Sequence, residues 1–429
     1  MQYPERVLVT GAGLAGLRTV VSLRERGYAG RITFLGAEEW PPYDRPPLSK
    51  KVLTEGVDSV GSVDPSLGAD FGALDVDFRP GETAESLDVG DVGDVGSASG
   101  SGGSAGGSGG SAGGGSGGSA GGSVRTNRDK YGFDRLVIAT GALPVALPGP
   151  GRQRFLRTYD DALALRAVLR PGLRLAIVGA GWIGAELATA ARAAGASVTV
   201  VEAGPTPLAA AIGAPVGGLT AHWYADAGVV LRTGAPVASV EVGGLALADG
   251  EWLAADEIVT AIGVRPAVGW LAGSGLALGD GVVVDGGLRA SLPGVYAVGD
   301  CAAFWSGRFG TRMRIEHWDT ALQAPQVVAA NVLGGSEVYD PVPYFWSEQF
   351  GRMLQYVGRH GTGDDLRWRG DPAEPTWTAC WLSGGRLTAV LSVGRPRDML
   401  QGRRLIAGRA LVDPDRLADP ATPLKSAIA

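Results

Sequence analysis

A glycine-rich turn between a strand-like run and an apolar helix occurs twice, and this repeat constrains the fold more than any other feature. The first copy follows Arg6–Thr10 and the second follows Arg174–Val178. In each copy the glycines are spaced Gly-x-Gly-x-x-Gly, apolar residues then recur at helical spacing, and a second strand-like run resumes. Strand, tight turn, helix and strand in this order form the mononucleotide-binding unit of a parallel sheet. The sequence therefore predicts an α/β fold with two Rossmann-like dinucleotide-binding domains plus a C-terminal α+β domain.

The glycine spacing has a mechanical reason. The first glycine makes the turn, the second lets the backbone approach a pyrophosphate, and the third lets the helix pack closely on the strand, while the helix N-terminus faces the phosphate charge. An acidic residue near the end of the next strand is expected to bind ribose hydroxyls, and Glu38 and Glu202 occupy that place. Within the two motifs, the predicted cofactor-binding residues are Gly11, Gly13, Leu14, Ala15, Gly16, Gly179, Gly181, Ile183 and Gly184.

The second motif favours NADH over NADPH. The carboxylate of Glu202 would repel a 2′-phosphate, and residues 203–221 contain no Arg or Lys that could bind one. A glycine-rich turn with no ligand is the alternative for each copy, and the strand and helix around the motif argue against it. Two such sites in one chain suggest that one holds a flavin and the other delivers a hydride.

Residues 96–123 contain only glycine, serine and alanine. Such side chains cannot bury enough apolar surface to offset the entropy of ordering the chain. We therefore predict a disordered insert that joins two strands of a surface hairpin. The strand before the insert is expected near residues 83–87.

Composition excludes several classes of protein. The net charge of −6 argues against a general nucleic-acid or anionic-membrane binder. The two cysteines, Cys301 and Cys380, cannot supply the four thiolates of an iron–sulfur cluster or a structural zinc site, and the three histidines have no metal-ligand spacing. No metal site is predicted. With no signal-peptide pattern at the start of the sequence and no apolar run of about 18 residues, the expectation is a cytoplasmic protein.

Five further motifs occur in a fixed order along the chain. They are PYDRPPLSK at 42–50, ATG at 139–141, VGDCA at 298–302, EHW at 316–318 and FWS at 345–347. Together with the glycine motifs they resemble the FAD-dependent NADH:ferredoxin reductases of the putidaredoxin reductase, rubredoxin reductase and biphenyl-dioxygenase reductase type, with apoptosis-inducing factor as a distant relative. The resemblance covers the whole chain apart from the Gly/Ser insert. It implies a glutathione-reductase-like arrangement, with an FAD-binding domain at 1–148 and 264–335, an NAD-binding domain at 149–263 and a C-terminal α+β domain at 336–429.

The resemblance also assigns roles to individual residues. The first glycine motif and Glu38 would hold the adenosine half of FAD, Arg45 and Lys50 would lie toward the pyrophosphate and flavin, and Asp300 would bind a ribityl hydroxyl. A helix N-cap is the alternative role for Asp300. The remaining residues expected to bind a cofactor are Ala84, Thr140, Gly141, Gly263 and Trp318.

The family places Lys50 and Glu186 beside the flavin N5, which makes them the predicted catalytic pair. Glu186 lies among apolar residues of the second motif's helix, where an unpaired carboxylate would be costly, so a partner is expected. Two unrelated surface charges are the alternative. Where relatives usually carry arginines after the ATG motif, this chain has Leu143 and Val145, which puts a cationic flavin contact there in question.

The predicted function is an FAD-dependent ferredoxin–NAD(+) reductase that passes electrons from NADH through the flavin to a [2Fe-2S] ferredoxin. Residues 386–425 contain eight Arg or Lys against four Asp, a surface suited to an acidic carrier. A flavin disulfide reductase or NADH peroxidase needs a redox cysteine early in the chain, and residues 1–300 have none. A reductase of quinones and a redox-sensing interaction protein stay open as alternatives, as does the choice between monomer and homodimer.

Overall fold

The structure, a computed structural model, describes residues 3–54, 67–89 and 121–429. The prediction of a disordered insert falls mostly on residues 96–120, which lie outside the described residues. At its C-terminal boundary the prediction was wrong. Gly122 and Ser123 begin the strand Gly122–Thr126 and pair with Val89 and Asp88. Small residues can complete this ladder because an antiparallel pair is held by backbone hydrogen bonds.

A five-stranded parallel sheet carries the first glycine motif. The helices Leu14–Glu25 and Trp318–Val332 pack against one another beside it. One edge strand comes from far along the chain, so the polypeptide returns to this sheet after completing the second unit. In spatial order, the strands are Val295–Ala297, Arg135–Ile138, Arg6–Thr10, Arg31–Leu35 and Asp77–Arg79.

A four-stranded parallel sheet carries the second glycine motif. Its strands in spatial order are Val230–Arg232, Ser197–Val201, Arg174–Val178 and Glu257–Thr260. The helix Trp182–Ala193 opens directly after the motif. The other helices of this part of the chain are Tyr159–Val168, Ala209–Ile212, Ala214–Gly217 and Ala221–Asp226.

Four smaller sheets flank these two. A two-stranded one joins the dinucleotide units, because Ala142–Pro144 pairs with Val264–Pro266. The others are built from Ala84–Val89, Gly122–Thr126 and Lys130–Phe133; from Val237–Glu241, Gly244–Leu247 and Trp252–Ala254; and from Leu278–Gly279, Gly281–Val284, Ala302–Ser306 and Thr311–Met313. Short helical turns are Pro46–Ser49, Lys51–Thr54, Gly218–Thr220, Gly269–Leu271, Gly299–Cys301 and Leu424–Ser426.

The C-terminal part is a five-stranded antiparallel sheet covered by the helix Pro396–Gly408, with a short helix Pro414–Ala418. Its strands in spatial order are Tyr344–Gln349, Arg352–Gly358, Arg386–Val393, Trp377–Ser383 and Asp365–Arg369. One face packs against the unit that carries the second glycine motif, the predicted NAD-binding domain at 149–263, hereafter the NAD-side unit. There Leu208 and Trp223 share a buried cluster with Trp377 and Leu391. The predicted fold class is confirmed: two parallel dinucleotide-binding sheets and an α+β tail.

Within the part of the chain that the structure describes, none of the helices combines the length and apolar character that a membrane crossing requires.

Candidate active site

The first glycine motif has the geometry of a phosphate-binding turn. Gly11 has a φ of 104°, and a Cβ there would lie 2.2 Å from the carbonyl oxygen of Ala139. A Cβ on Gly16 would lie 2.0 Å from the oxygen of Gly11, so the helix approaches the strand as closely as only glycine allows. Above Gly13 a Cβ would meet nothing within 4 Å. The helix starting at Leu14 has no side-chain cap and no acidic residue in its first turn, so its N–H groups can bind an anion.

The second motif repeats this geometry. A Cβ on Gly179 would lie 2.5 Å from the oxygen of Ala261, and one on Gly184 would lie 2.0 Å from the oxygen of Gly179. Gly181 again faces open space, and the helix after it begins with neither a side-chain cap nor an acidic residue. Both motifs therefore fit a pyrophosphate at a helix N-terminus.

Apolar surface is exposed beside the second motif. Ile183, within the motif, and Ile262, next to Gly179, are both exposed although they are large and apolar. Gly263 follows with a φ of 105° and open space where a Cβ would stand. A flat aromatic coenzyme ring would cover such surface, which is consistent with the predicted role of Ile183 and Gly263.

The two acidic residues lie in different surroundings. Each oxygen of Glu202 accepts a hydrogen bond of 2.7 Å from a backbone N–H, one from Ala180 inside the second motif and one from Gly204. Glu38 instead accepts from Arg45 Nη2 at 2.9 Å and from the Tyr43 hydroxyl at 2.6 Å. Two residues predicted to bind FAD, Glu38 and Arg45, therefore contact one another.

Arg157 is a candidate that the sequence did not reveal. Its Nη2 donates to Asp300 at 2.8 Å and lies 3.2 Å from the place where a Cβ of Gly141 would stand. It supplies a cation beside the ATG motif, where Leu143 is 52% exposed and carries none. No local spacing marks Arg157, because only tertiary packing brings it to Asp300.

The ATG motif and Asp300 meet at the C-terminal ends of neighbouring strands. Thr140 Oγ1 donates to the carbonyl of Ala267 at 2.8 Å, and Gly141 has a φ of 70°. Asp300 lies in the turn Gly299–Cys301, whose N-terminus has no side-chain cap, so the alternative of a helix N-cap is wrong. Its carboxylate is part-buried and partnered by Arg157.

The predicted pair forms an ion pair in the structure. Lys50 Nζ lies 2.7 Å from Glu186 Oε2, and Glu186 is only 4% exposed. The alternative of two unrelated surface charges is therefore wrong. Glu186 also accepts hydrogen bonds from the Ser49 hydroxyl, from Ser347 Oγ at 2.7 Å and from the Glu348 N–H at 3.3 Å. Sequence reasoning missed both serines as functional residues, although they lie inside the PYDRPPLSK and FWS motifs.

Aromatic side chains form one wall of the site. Trp318 Nε1 donates to Asp44 at 2.6 Å, and the Trp318 ring lies 5.5 Å from that of Trp346. Burial raises the pKa of the Asp44 carboxyl, and the bond from Trp318 partly offsets this. His317 is packed beside Trp346 and Phe345, and burial lowers its pKa to about 4. Outside this aromatic wall, Ala84 begins the strand Ala84–Val89 and packs against the core of the first unit.

Neither cysteine is placed for redox chemistry. Cys301 and Cys380 are both unpaired and buried, and burial raises the pKa of both thiols, that of Cys380 to about 12. A thiol must ionise to act as a nucleophile. In the described ranges, no group of three or more His, Cys, Asp or Glu side chains could hold a metal ion.

Comparison with known proteins agrees with this architecture. Residues 5–324 match the pyridine nucleotide-disulphide oxidoreductase family, and residues 344–428 match the reductase C-terminal family. The ferredoxin–NAD(+) reductase component of the anthranilate 1,2-dioxygenase system of Burkholderia cepacia is 32% identical, over 98% of this chain and 98% of that protein.

Two crystal structures are similar along their whole length. Fdr9 is 47% identical with a TM-score of 0.87, covering 98% of this chain and 99% of the other. The reductase in the covalent putidaredoxin reductase–putidaredoxin complex is 28% identical with a TM-score of 0.85, covering 99% of this chain and 98% of the other.

Two glycine turns that each fit a pyrophosphate, joined by a buried ion pair, form the arrangement expected of an oxidoreductase that binds two nucleotides. The chain belongs to the pyridine nucleotide-disulphide oxidoreductase family, in the branch that carries the reductase C-terminal domain. The resemblance to ferredoxin reductases stated from the sequence is confirmed.

Proposed function

We propose that this chain is an FAD-dependent ferredoxin–NAD(+) reductase that carries electrons from NADH to an iron–sulfur protein of an oxygenase system. The Lys50–Glu186 ion pair is the observation that carries the proposal. It connects the predicted FAD-binding domain at 1–148 and 264–335, hereafter the FAD-side unit, to the helix that opens with the second glycine motif. The family and the named ferredoxin reductases bear out the predicted cofactors, FAD and NADH.

The residues of the first site suit FAD. The first glycine motif offers free N–H groups to the pyrophosphate, while Glu38 and Arg45 stand near it as a hydrogen-bonding pair. Asp300 and Arg157 together can bind the polyol that joins the pyrophosphate to the flavin. At the second site, Glu202 faces the glycine turn and would bind the NADH ribose.

When bound, FAD would supply an acceptor for the hydride of NADH and a means of passing the two electrons on singly. Lys50 would hold a positive charge beside the reduced cofactor, where negative charge develops, and Glu186 keeps that ammonium in place. The rings of Trp318 and Trp346, 5.5 Å apart, would cover one side of this region with apolar surface.

The carrier is proposed to be a [2Fe-2S] ferredoxin with an acidic surface. Among the basic residues of 386–425, Arg395 and Arg403 are neutralised by Asp398 and Asp319. Arg404 is exposed on the helix Pro396–Gly408, next to Arg403. Such a surface would speed the encounter with an acidic protein and would weaken with salt.

The test has two parts. The purified protein should be yellow, and NADH should bleach its flavin absorption under anaerobic conditions. Steady-state NADH oxidation should then be compared with a [2Fe-2S] ferredoxin, a small quinone and oxygen as acceptors. A colourless protein that FAD cannot reconstitute refutes the proposal, and a preference for quinone would favour the alternative of a small-acceptor reductase.

A further inference from the structure

A buried chain of hydrogen bonds runs from the Lys50–Glu186 pair into the C-terminal sheet. Ser347 Oγ lies 2.7 Å from Glu186 Oε1, and Gln349 Nε2 lies 3.1 Å from Ser347 Oγ. Ser347 and Gln349 are both fully buried. The C-terminal domain therefore contributes directly to the surroundings of the predicted catalytic pair.

The chemistry of the donors sets the direction of these hydrogen bonds. The amide nitrogen of Gln349 can only donate, so the Ser347 oxygen accepts from it. The single hydroxyl proton of Ser347 is then available for Glu186. The backbone N–H of Glu348 also donates to the same carboxylate oxygen at 3.3 Å.

Each oxygen of Glu186 is held from a different side. Oε2 accepts from Lys50 and Ser49, which belong to the FAD-side unit. Oε1 accepts from Ser347 and from the Glu348 N–H, which belong to the strand Tyr344–Gln349. A carboxylate held at both oxygens cannot rotate about its own axis, and Lys50 Nζ is fixed with it.

We propose that Ser347 is a positioning residue for hydride transfer: through Glu186 it sets where the Lys50 ammonium stands beside the flavin. Ser347 would act through the carboxylate of Glu186 alone. The inference rests on the proposed function, since it assigns the C-terminal domain a part in the chemistry of that same site.

The test uses the FAD-loaded Ser347→Ala variant in anaerobic stopped-flow reduction by NADH. Loss of the Ser347 hydroxyl leaves Oε1 with only the longer bond from the Glu348 N–H at 3.3 Å. The ammonium can then drift by a fraction of an ångström, so the limiting rate of flavin reduction should fall about tenfold. The apparent Kd for NADH should stay unchanged, because Ser347 is not expected to contact NADH. The midpoint potential of the flavin should become more negative, because a displaced cation stabilises the reduced form less.

Ser392 provides a matched control in the same sheet. It is a buried serine on the strand Arg386–Val393, and its hydroxyl has no hydrogen-bond partner among the described residues. Ser392→Ala removes the same atom but should leave the reduction rate and potential as in the unmodified protein. Equal effects of the two substitutions on rate would mean that Ser347 is merely structural, and the proposal would be wrong.

A double-mutant comparison covers the case in which Ser347→Ala folds poorly. Ser347→Cys keeps the volume but donates weakly, and it should reproduce the slower rate. In a Glu186→Gln background, replacing Ser347 should add no further loss if it acts through Glu186. Independent, multiplying losses overturn the inference. Failure of the unmodified protein to be reduced by NADH would instead refute the proposed function.

Discussion

Replacing Lys50 by methionine tests the site most directly. Methionine approximates the length and apolar stem of lysine but removes the ammonium that lies 2.7 Å from Glu186. Glu186 would then remain as a buried carboxylate with its other donors, Ser49, Ser347 and the Glu348 N–H. The substitution removes the charge, the hydrogen bond to Glu186 and a longer one of 3.4 Å to the carbonyl oxygen of Pro46.

The structure allows a magnitude to be worked out. Breaking a buried ion pair typically costs about 3–5 kcal/mol of folding stability. Lys50 is 25% exposed, and the remaining donors still hold the Glu186 carboxylate, so a loss of about 2 kcal/mol is expected. Removing a preorganised group that faces developing charge slows chemistry by roughly a hundredfold, so flavin reduction should slow by about that factor.

The assay is anaerobic stopped-flow at saturating NADH, with the flavin absorption recorded before mixing to show that FAD is retained. Lys51→Met is the matched control, because Lys51 is the exposed neighbour on the short helix Lys51–Thr54. A Lys50→Met enzyme that binds FAD and is reduced at the unmodified rate would refute the catalytic role of Lys50. A loss of FAD without a change in rate per bound flavin would reassign Lys50 to cofactor binding.

Four further outcomes are expected. Glu202→Gln should lower the preference for NADH over NADPH in kcat/KM by about tenfold, because the carboxylate no longer repels a 2′-phosphate. Gly13→Val should still fold, because the space above Gly13 is open, but its side chain should occupy the proposed pyrophosphate site and lower the affinity for FAD. Circular dichroism measures the folding, and FAD titration measures the affinity. Arg404→Glu should lower kcat/KM for the ferredoxin, most at low salt, without changing that for NADH. Burial lowers the pKa of His317 to about 4, so between pH 6.5 and 4 the unfolded chain binds a proton that the folded chain does not. The free energy of unfolding should therefore fall by up to about 3 kcal/mol on acidification through this range. Denaturant titrations of His317→Gln should lack this loss.

Each of these outcomes has a control and a contrary result. Glu241→Gln, on a strand of the small NAD-side sheet, should leave coenzyme preference unchanged, and an unaltered preference in the Glu202 variant would reject its role. Arg125 is exposed on a strand of another sheet, and Arg125→Glu is the control for Arg404→Glu. If both substitutions lower kcat/KM for the ferredoxin equally, local steering by Arg404 is rejected. His222 is exposed, so His222→Gln should keep the acid sensitivity; if His317→Gln also keeps it, His317 is not its source. A Gly13→Val protein with normal FAD affinity would contradict the assigned pyrophosphate site.

The glycine motifs show why part of the site could be predicted from sequence. Gly11 and Gly179 need positive φ, and Gly16 and Gly184 need close contact with their strands; both demands are met within a few residues of chain. The position of Glu202 follows from the same unit, because the next parallel strand ends beside the turn. Strand bounds were less accurate where side chains are small, as at residues 122–123, which join a ladder through their backbones.

Other parts of the site depend on contacts that span the chain. Lys50 meets Glu186 across 136 residues, Ser347 meets Glu186 across 161, and Arg157 meets Asp300 across 143. The family resemblance suggested the first of these contacts, whereas the other two appear only in the folded chain. The two residues of each contact lie on separate units, so no local sequence spacing predicts these contacts.

The sequence by itself determined the two units of strand, glycine turn and helix, because backbone conformation and helix periodicity are set over short stretches of chain. Only the tertiary structure decided which charges meet, which hydroxyl holds Glu186 and which arginine stands beside Asp300. The physical reason is that a buried side chain finds its partner through the packing of whole domains, and that packing is settled by the entire core at once.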